Sequence, residues 1–245
     1  MTQSKIAPLL ALGFLAASMS LLAATPPVQE IVKRADDARG PAGDLSFHVE
    51  VKDYNGDSLL RTNRYHVYSK GEKYVLVETE YPERLQGRKL LMREDDVWLY
   101  LPSIKQPTRI SLQQKLTGEV SNGDLAKTSF HDDYAPKLLG LDKVGSNSYF
   151  KILLSARTKS CTYRRIKLWV NTRTYQPLRA EYFAISGKLL KTSDFFDPKP
   201  ALGEPRMSQV VIRDALEPGR RSVLHYYGYH RENLDESFFS KESLP

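Results

Sequence analysis

The sequence predicts a mainly β protein with a few helices, in which the strands follow one another as an antiparallel meander. Residues 163–197 show this most clearly, because apolar and polar residues alternate in runs joined by short polar or glycine-containing links. Residues 95–110 alternate in the same way and carry bulky side chains on both phases, which predicts a central strand covered on both faces. The chain has 245 residues, of which 41% are hydrophobic, enough for one sizeable core.

The first 24 residues predict a secretory signal peptide. Lys5 precedes an apolar run that ends in the small residues Ala23 and Ala24. The alternative is a membrane anchor, but the run is near the lower length limit for crossing a bilayer. We expect residues 25–245 to form a single exported domain. The single cysteine, Cys161, lies far from the cleavage site, so we expect neither a lipid anchor nor an internal disulfide.

The exported part is expected to begin with a helix and continue as hairpins. Apolar residues within 26–39 recur at helical spacing, and Gly40 and Pro41 end the pattern. The pair Asn55-Gly56 is the strongest hairpin signal of the chain. Three prolines within 198–205 predict a loop, and the tail over 234–244 predicts a docked helix or turn.

Residues 111–140 lack sustained alternation and contain the breaks Gly118 and Asn122-Gly123. We therefore predict short helices and loops that cover the sheet rather than extend it. A segment of about 30 residues without strand pattern in a β chain is more often functional than filler.

Composition and motifs exclude several functions. The formal net charge is +7, but the basic residues are spread along strands. The sequence shows neither a basic helix nor an aromatic platform, so it does not predict nucleic-acid binding. The sequence lacks the usual spacings of zinc proteases, serine hydrolases and phosphate-binding loops. The run His131-Asp132-Asp133 is polar, but consecutive residues do not converge on one ion, and a loop or helix cap explains them. We expect no catalytic residue, metal or cofactor.

Two stretches carry a family resemblance. VWLYLPSIKQPTRIS with the following GEVSNGDLA, and IKLWVNTRTYQPLRAEYFAISGKLLK, resemble the outer-membrane lipoprotein-sorting proteins, a LolA-like group. The resemblance implies a half-open antiparallel β-barrel with an N-terminal helix and a helical lid, located in the periplasm. It also implies a cargo of lipid or lipoprotein acyl chains, and a transporter of the RND/MMPL type or a membrane acceptor as partner. We expect a monomer.

A sheet that curls without closing leaves a concave apolar face, and helices laid over it enclose a cavity. With residues 111–140 as lid, we expect Arg109 to bond lid carbonyls and hold the lid closed. We expect the inward-facing residues to be Val97, Leu99, Leu101, Ile166, Leu168, Val170, Leu178, Ala180 and Tyr182.

Two other functions are compatible with this sequence. A regulatory module on the same fold would sense envelope stress by binding lipid or peptide, and would have a stable protein partner. An enzyme working by positioning would depend on polar groups such as His131 or Asp133. The favoured interpretation is a non-catalytic periplasmic carrier, since it requires only an apolar cavity.

Overall fold

The structure of the chain, a computed structural model, describes residues 26–40, 43–126 and 129–244. The predicted signal peptide over residues 1–24 lies outside these ranges. No helix within them is both long and apolar enough to cross a membrane. The helices are α1 (Val28–Arg39), α2 (Asn122–Ala126) and α3 (Phe130–Asp133), with short 3-10 turns at Glu83–Leu85 and Glu236–Phe239.

The strands in chain order are β1 (Leu45–Asn55), β2 (Ser58–Lys70), β3 (Tyr74–Tyr81), β4 (Lys89–Arg93), β5 (Asp96–Tyr100), β6 (Thr108–Arg109), β7 (Lys115–Thr117), β8 (Val120–Ser121), β9 (Tyr134–Val144), β10 (Asn147–Ala156), β11 (Arg165–Asn171), β12 (Pro177–Phe183), β13 (Leu189–Ala201), β14 (Glu204–Asp214) and β15 (Arg220–Arg231). Asn55 and Gly56 lie at the β1–β2 turn, where Gly56 has φ +57°, so the predicted hairpin is confirmed.

Within the described residues, thirteen strands form one open antiparallel sheet in the order β6-β5-β4-β3-β2-β1-β15-β14-β13-β12-β11-β10-β9. The first strand therefore pairs with the last one, and the two halves of the meander extend on either side of that pair. Strands β7 and β8 form a separate hairpin. The predicted fold class, a mainly β, half-open antiparallel sheet with few helices, is confirmed.

The two faces of the sheet have different covers. The inner face packs against α1 through Ile31, Val32 and Ala35, and against α2 and α3, in one continuous apolar core. On the outer face, the tail places Phe239 and Leu244 on a smaller cluster formed by β3, β4 and β5. The prediction of a docked tail is therefore confirmed, and both faces of β5 are covered as expected.

Two predictions about strands were wrong, and a third concerns the prolines of residues 198–205. Strand β5 is not central, because only the two-residue β6 separates it from the edge of the sheet. Residues 134–140 are not part of a strandless cover but the first half of edge strand β9. That strand is largely exposed, so its sequence needs no apolar alternation, and its leucines formed no recognisable pattern.

The prolines of residues 198–205 lie in strands rather than in a loop. Pro198 pairs with Met207, and Pro200 pairs with Pro205. The β12–β13 ladder reaches only as far as Asp194, so the end of β13 pairs on one side, with β14. A proline, which has no N–H to donate, is tolerated where no second neighbouring strand requires one.

Candidate functional site

A cavity of about 290 Å³ lies between the inner face of the sheet and the helices. Its sheet wall is apolar and aromatic, with residues from β1, β2, β3 and β12 to β15: Phe47, Val67, Val75, Tyr182, Phe195, Val210, Ile212, Leu224 and Tyr226. Leu125, Ala126 and Phe130 of α2 and α3 close it from the other side. We call the segment 111–133, which contains β7, β8, α2 and α3, the lid. A space lined in this way suits an apolar group.

A buried ion pair fastens α2 to the sheet. The ammonium group of Lys191 on β13 pairs with the carboxylate of Asp124 and also donates a hydrogen bond to the carbonyl oxygen of Glu119, at 3.0 Å. The hydroxyl group of Tyr163 donates to Asp124 at 2.8 Å, and burial strongly raises the pKa of this phenol. Because Lys191 is only 6% exposed, this group of contacts is shielded from solvent.

A second polar group of contacts fastens the β7–β8 hairpin. The buried carboxylate of Asp53 on β1 accepts hydrogen bonds from Thr117 at 2.7 Å and from Ser222 at 2.5 Å. Asn63 donates to Thr117 at 2.8 Å. Gly118, at the hairpin tip, has φ +45°, and a Cβ atom there would lie 1.9 Å from a carboxylate oxygen of Asp53. The hairpin can therefore approach the sheet this closely only with glycine at its tip.

A third contact joins α3 to α1. The carboxylate of Asp36 accepts hydrogen bonds from the backbone N–H groups of Phe130 and His131, both at 2.7 Å, and pairs with Arg39 at 3.0 Å. Burial raises the pKa of Asp36 to about 6, although Arg39 and both N–H groups act in the opposite direction. The guanidinium group of Arg39 also lies over the ring of Phe130, 3.6 Å from its centre. Asp36 therefore links the N-terminal helix to the lid.

The cavity is adjacent to a second, more open depression of about 650 Å³, which we call the acidic mouth. The two share Gly71, Glu72, Ser129 and Asp133. The charged residues of the mouth are mostly carboxylates: Asp44, Glu72, Glu94, Asp95, Asp132 and Asp133, against Lys70 and Lys73. Burial of its carboxyl group and a hydrogen bond with Asp132 raise the pKa of Glu72 to about 7. Above that pH, the mouth is strongly negative.

The nine residues predicted to face inward lie in three different environments. Tyr182 lies on the cavity wall, and burial raises its pKa to about 12. The other eight are not among the described residues that line the cavity. Five of them belong to the inner core beside it: Val97, Ile166, Leu168, Val170 and Ala180.

The remaining three predicted residues are half-buried and lie outside the inner core. Leu99 and Leu101 lie at the end of β5 and just beyond it. Leu178 is the extra residue where the β11–β12 register shifts, since Val170 pairs with Pro177 and Trp169 with Arg179. A bulge of this kind turns a side chain out of its phase, and strict alternation cannot anticipate it.

Arg109 has a different partner from the one expected. Its guanidinium group pairs with the carboxylate of Asp96 on the adjacent β5, and its side chain is 71% exposed. Polar attachments of the lid come instead from residues such as Lys191, Asp53 and Asp36. Asp53 and Lys191 had a recognisable signal in the sequence, because each is a charged residue on the inward-facing side of its strand. Asp53 lies two residues after Val51, and Lys191 lies two residues before Ser193.

Comparisons with known proteins agree with this architecture. A family described as "Uncharacterized protein" matches residues 71–245. The crystal structure of LolA superfamily protein NE2245 from Nitrosomonas europaea shares 36% identity and a TM-score of 0.84, covering 88% of this chain and 98% of that one. None of the curated proteins compared with the chain matches it.

Two further crystal structures share the fold at lower identity. One is a putative outer membrane lipoprotein-sorting protein domain from Vibrio parahaemolyticus, with 23% identity, a TM-score of 0.73 and coverage of 88% of this chain and 97% of that one. The other is a DUF1329 family protein from Desulfovibrio piger, with 22% identity, a TM-score of 0.74 and coverage of 90% and 100%.

Proposed function

This chain belongs to the LolA superfamily, and we propose that it is a periplasmic carrier that holds an acyl chain, of a lipid or a lipidated protein, in the cavity beneath the lid. The observation that supports this is the cavity itself, which lies between an apolar sheet wall and apolar side chains of the lid. The proposed work is binding and release, and needs no catalytic group.

The size of the cavity sets the expected cargo. At about 290 Å³, it is at the lower end of ligand sites, which span about 300–1,000 Å³. It therefore suits one slender apolar chain in the closed state, and a bulkier cargo requires the lid to move. Each buried CH2 group contributes about 0.8 kcal/mol, so affinity should rise with chain length until the cavity is filled.

A carrier also needs a donor and an acceptor. The cavity adjoins the acidic mouth, but a cargo bulkier than one acyl chain requires the lid contacts of Asp36, Asp53 and Lys191 to open at least in part. We include a membrane acceptor, or a transporter of the RND/MMPL type, in the proposal as the partner at which this opening takes place.

Two neighbouring valines on β14 give a matched test of the cavity. Val210 is 6% exposed and lines the cavity. Val211 is 7% exposed, and so almost equally buried, but lies on the opposite face of the strand. Val210→Phe should fill the cavity and weaken binding of a fluorescent fatty acid by about tenfold, equivalent to about 1.4 kcal/mol. Val211→Phe should bind as the parent protein does, with circular dichroism showing that both variants fold.

Equal binding by both valine variants would show that the acyl chain is not held in this cavity. Native mass spectrometry of the mature protein, purified gently from its own envelope, should in addition reveal a bound lipid. Transfer of labelled lipid between vesicles separates the carrier from a regulatory module, because a regulator would bind lipid without moving it.

A further inference from the structure

Three ligand-type side chains meet on the outer face of the sheet, on the side away from the cavity. His48 on β1 lies directly opposite His66 on β2, and Glu80 on β3 reaches both of them. All three belong to the outward phase of their strands, since Phe47, Val49 and Val67 on the other phase are in the inner core. The cluster is therefore independent of the carrier proposal.

The distances show that the three side chains converge. The Nδ1 atom of His48 lies 3.2 Å from one carboxylate oxygen of Glu80, and Nδ1 of His66 lies 3.9 Å from the other. The two imidazole rings stack with their centres 4.1 Å apart. One ligand atom from each residue can be chosen so that all three lie within 4.8 Å of one another.

Neighbouring residues hold His48 in this position. The strand pairing of β1 with β15 shifts between Ser46 and His48, which places the ring of Tyr227 against His48 with centres 5.5 Å apart. Gly228 has φ +65°, and a Cβ atom there would lie 3.1 Å from the His48 ring. Bulges of this kind often redirect side chains beside functional sites.

His66 is held from its other side. The hydroxyl group of Tyr68 lies 3.0 Å from its Nδ1 atom, and the Tyr68 ring packs against the docked tail through Phe238. The side chains of the cluster remain partly accessible, with 27% of His48, 22% of His66 and 38% of Glu80 exposed. An ion could therefore reach all three from solvent.

We propose that His48, His66 and Glu80 form a binding site for a divalent transition-metal ion, of which Zn²⁺ is the best match. Two imidazole nitrogens and one carboxylate oxygen are a donor set typical of zinc sites with an open coordination position. Zinc–ligand bonds of about 2.0–2.2 Å set the ligand atoms of a tetrahedral site about 3.4 Å apart. Side-chain rotations that bring the ligand atoms up to about 1.4 Å closer together would reach this geometry.

The ion would lie where His48 and His66 now face the carboxylate of Glu80. Tyr68 would then either rotate away from Nδ1 of His66 or supply its hydroxyl oxygen as a further ligand.

The test is titration of the untagged mature chain with Zn²⁺, followed by calorimetry and by competition with a chromophoric chelator. The parent protein should bind one ion per chain. His48→Ala should lower the affinity by at least about 100-fold, because even residues that only support a ligand typically contribute about 10–100-fold. Co²⁺ in place of Zn²⁺ should give the intense visible absorption of a tetrahedral site in the parent protein and lose it in the variant.

Two further variants keep the outcome decisive. Glu80→Gln preserves shape at a partly exposed position, so it tests the site even if His48→Ala fails to fold. His230→Ala removes an exposed histidine outside the cluster and should bind Zn²⁺ as the parent protein does. Absence of binding by the parent protein at micromolar Zn²⁺, or binding that survives both His48→Ala and Glu80→Gln, would overturn the proposal.

Discussion

Lys191 and Asp124 form an ion pair that joins the sheet to the lid in the interior of the protein. The lysine side chain is 7% exposed and that of the aspartate 10%. The ammonium group also lies 5.0 Å from the centre of the Tyr163 ring and 5.7 Å from that of Tyr182. One cation thus contacts the lid and two tyrosines that line the cavity, Tyr163 from the connection between β10 and β11 and Tyr182 from β12.

We expect loss of this cation to destabilise the protein strongly. Lys191→Met leaves the carboxylate of Asp124 buried without its counter-ion, which typically costs about 3–5 kcal/mol. Urea unfolding measures this cost, and Lys167→Met is the control, because Lys167 is 38% exposed and only 4.0 Å from Glu181. That exposed pair should contribute less than about 1 kcal/mol. Equal effects of the two substitutions would contradict a structural role for the buried pair.

The glycine at the lid hairpin gives a second prediction. Gly118→Ala would place a methyl group on the carboxylate of Asp53 and force the hairpin off the sheet, at a cost of about 3 kcal/mol or more. Gly145 has a similar φ, +59°, but open space around it, so Gly145→Ala should show only the backbone penalty of about 1–2 kcal/mol. The difference in free energy of unfolding between the two variants measures the clash itself.

Alternation along the chain predicted most of this sheet because one face of nearly every strand is buried. It worked for β11, where Ile166, Leu168 and Val170 all enter the inner core. It failed for β9, which is an exposed edge, and at Leu178, where a bulge shifts the phase. In both places, the direction of the side chains depends on which strands are neighbours, and local periodicity does not contain that information.

The cavity wall was harder to predict than the core. All inward-facing residues look alike in sequence. The cavity, however, is lined only by those that lie beneath a gap in the packing of the lid. Val210 does so, whereas Ile166 is packed in the core. The division depends on where the lid lies, and Asp53 and Lys191 fix that position from strands far away in the chain.

Asp36 predicts a pH dependence of stability. Its pKa rises from 3.8 to about 6 on folding, so the folded chain holds the proton more tightly than the unfolded chain. The resulting stabilisation, about 3 kcal/mol, is fully present below pH 3.8 and is lost as the pH rises through 6. Asp36→Asn should remove this contribution from the stability profile between pH 4 and pH 7.

Thermal unfolding across that pH range tests the assignment to Asp36. The control is Asp37→Asn on the same helix, since the Asp37 side chain is 53% exposed and pairs with Lys33 at the surface. This control should keep the pH profile of the parent protein. A profile unchanged by Asp36→Asn would mean that the buried carboxyl group does not govern the stability of the lid contact.

The acidic mouth predicts a preference for the polar end of the cargo. If an acyl chain fills the cavity, its head group lies near Glu72 and the neighbouring carboxylates, which repel an anion and attract a cation. At pH 8, dodecylamine should therefore displace a neutral fluorescent probe at about tenfold lower concentration than dodecanoate, a difference of about 1.4 kcal/mol. High salt should reduce the preference, because these groups are open to solvent.

Protonation of Glu72 makes this preference sensitive to pH. The pKa of its carboxyl group is raised to about 7, so the preference for the amine should be smaller at pH 6 than at pH 8. Glu72→Gln should reduce the preference at pH 8, whereas Glu204→Gln, an exposed position outside both depressions, should not change it. An equal or stronger affinity for dodecanoate would show that the head group of the cargo does not lie at this mouth.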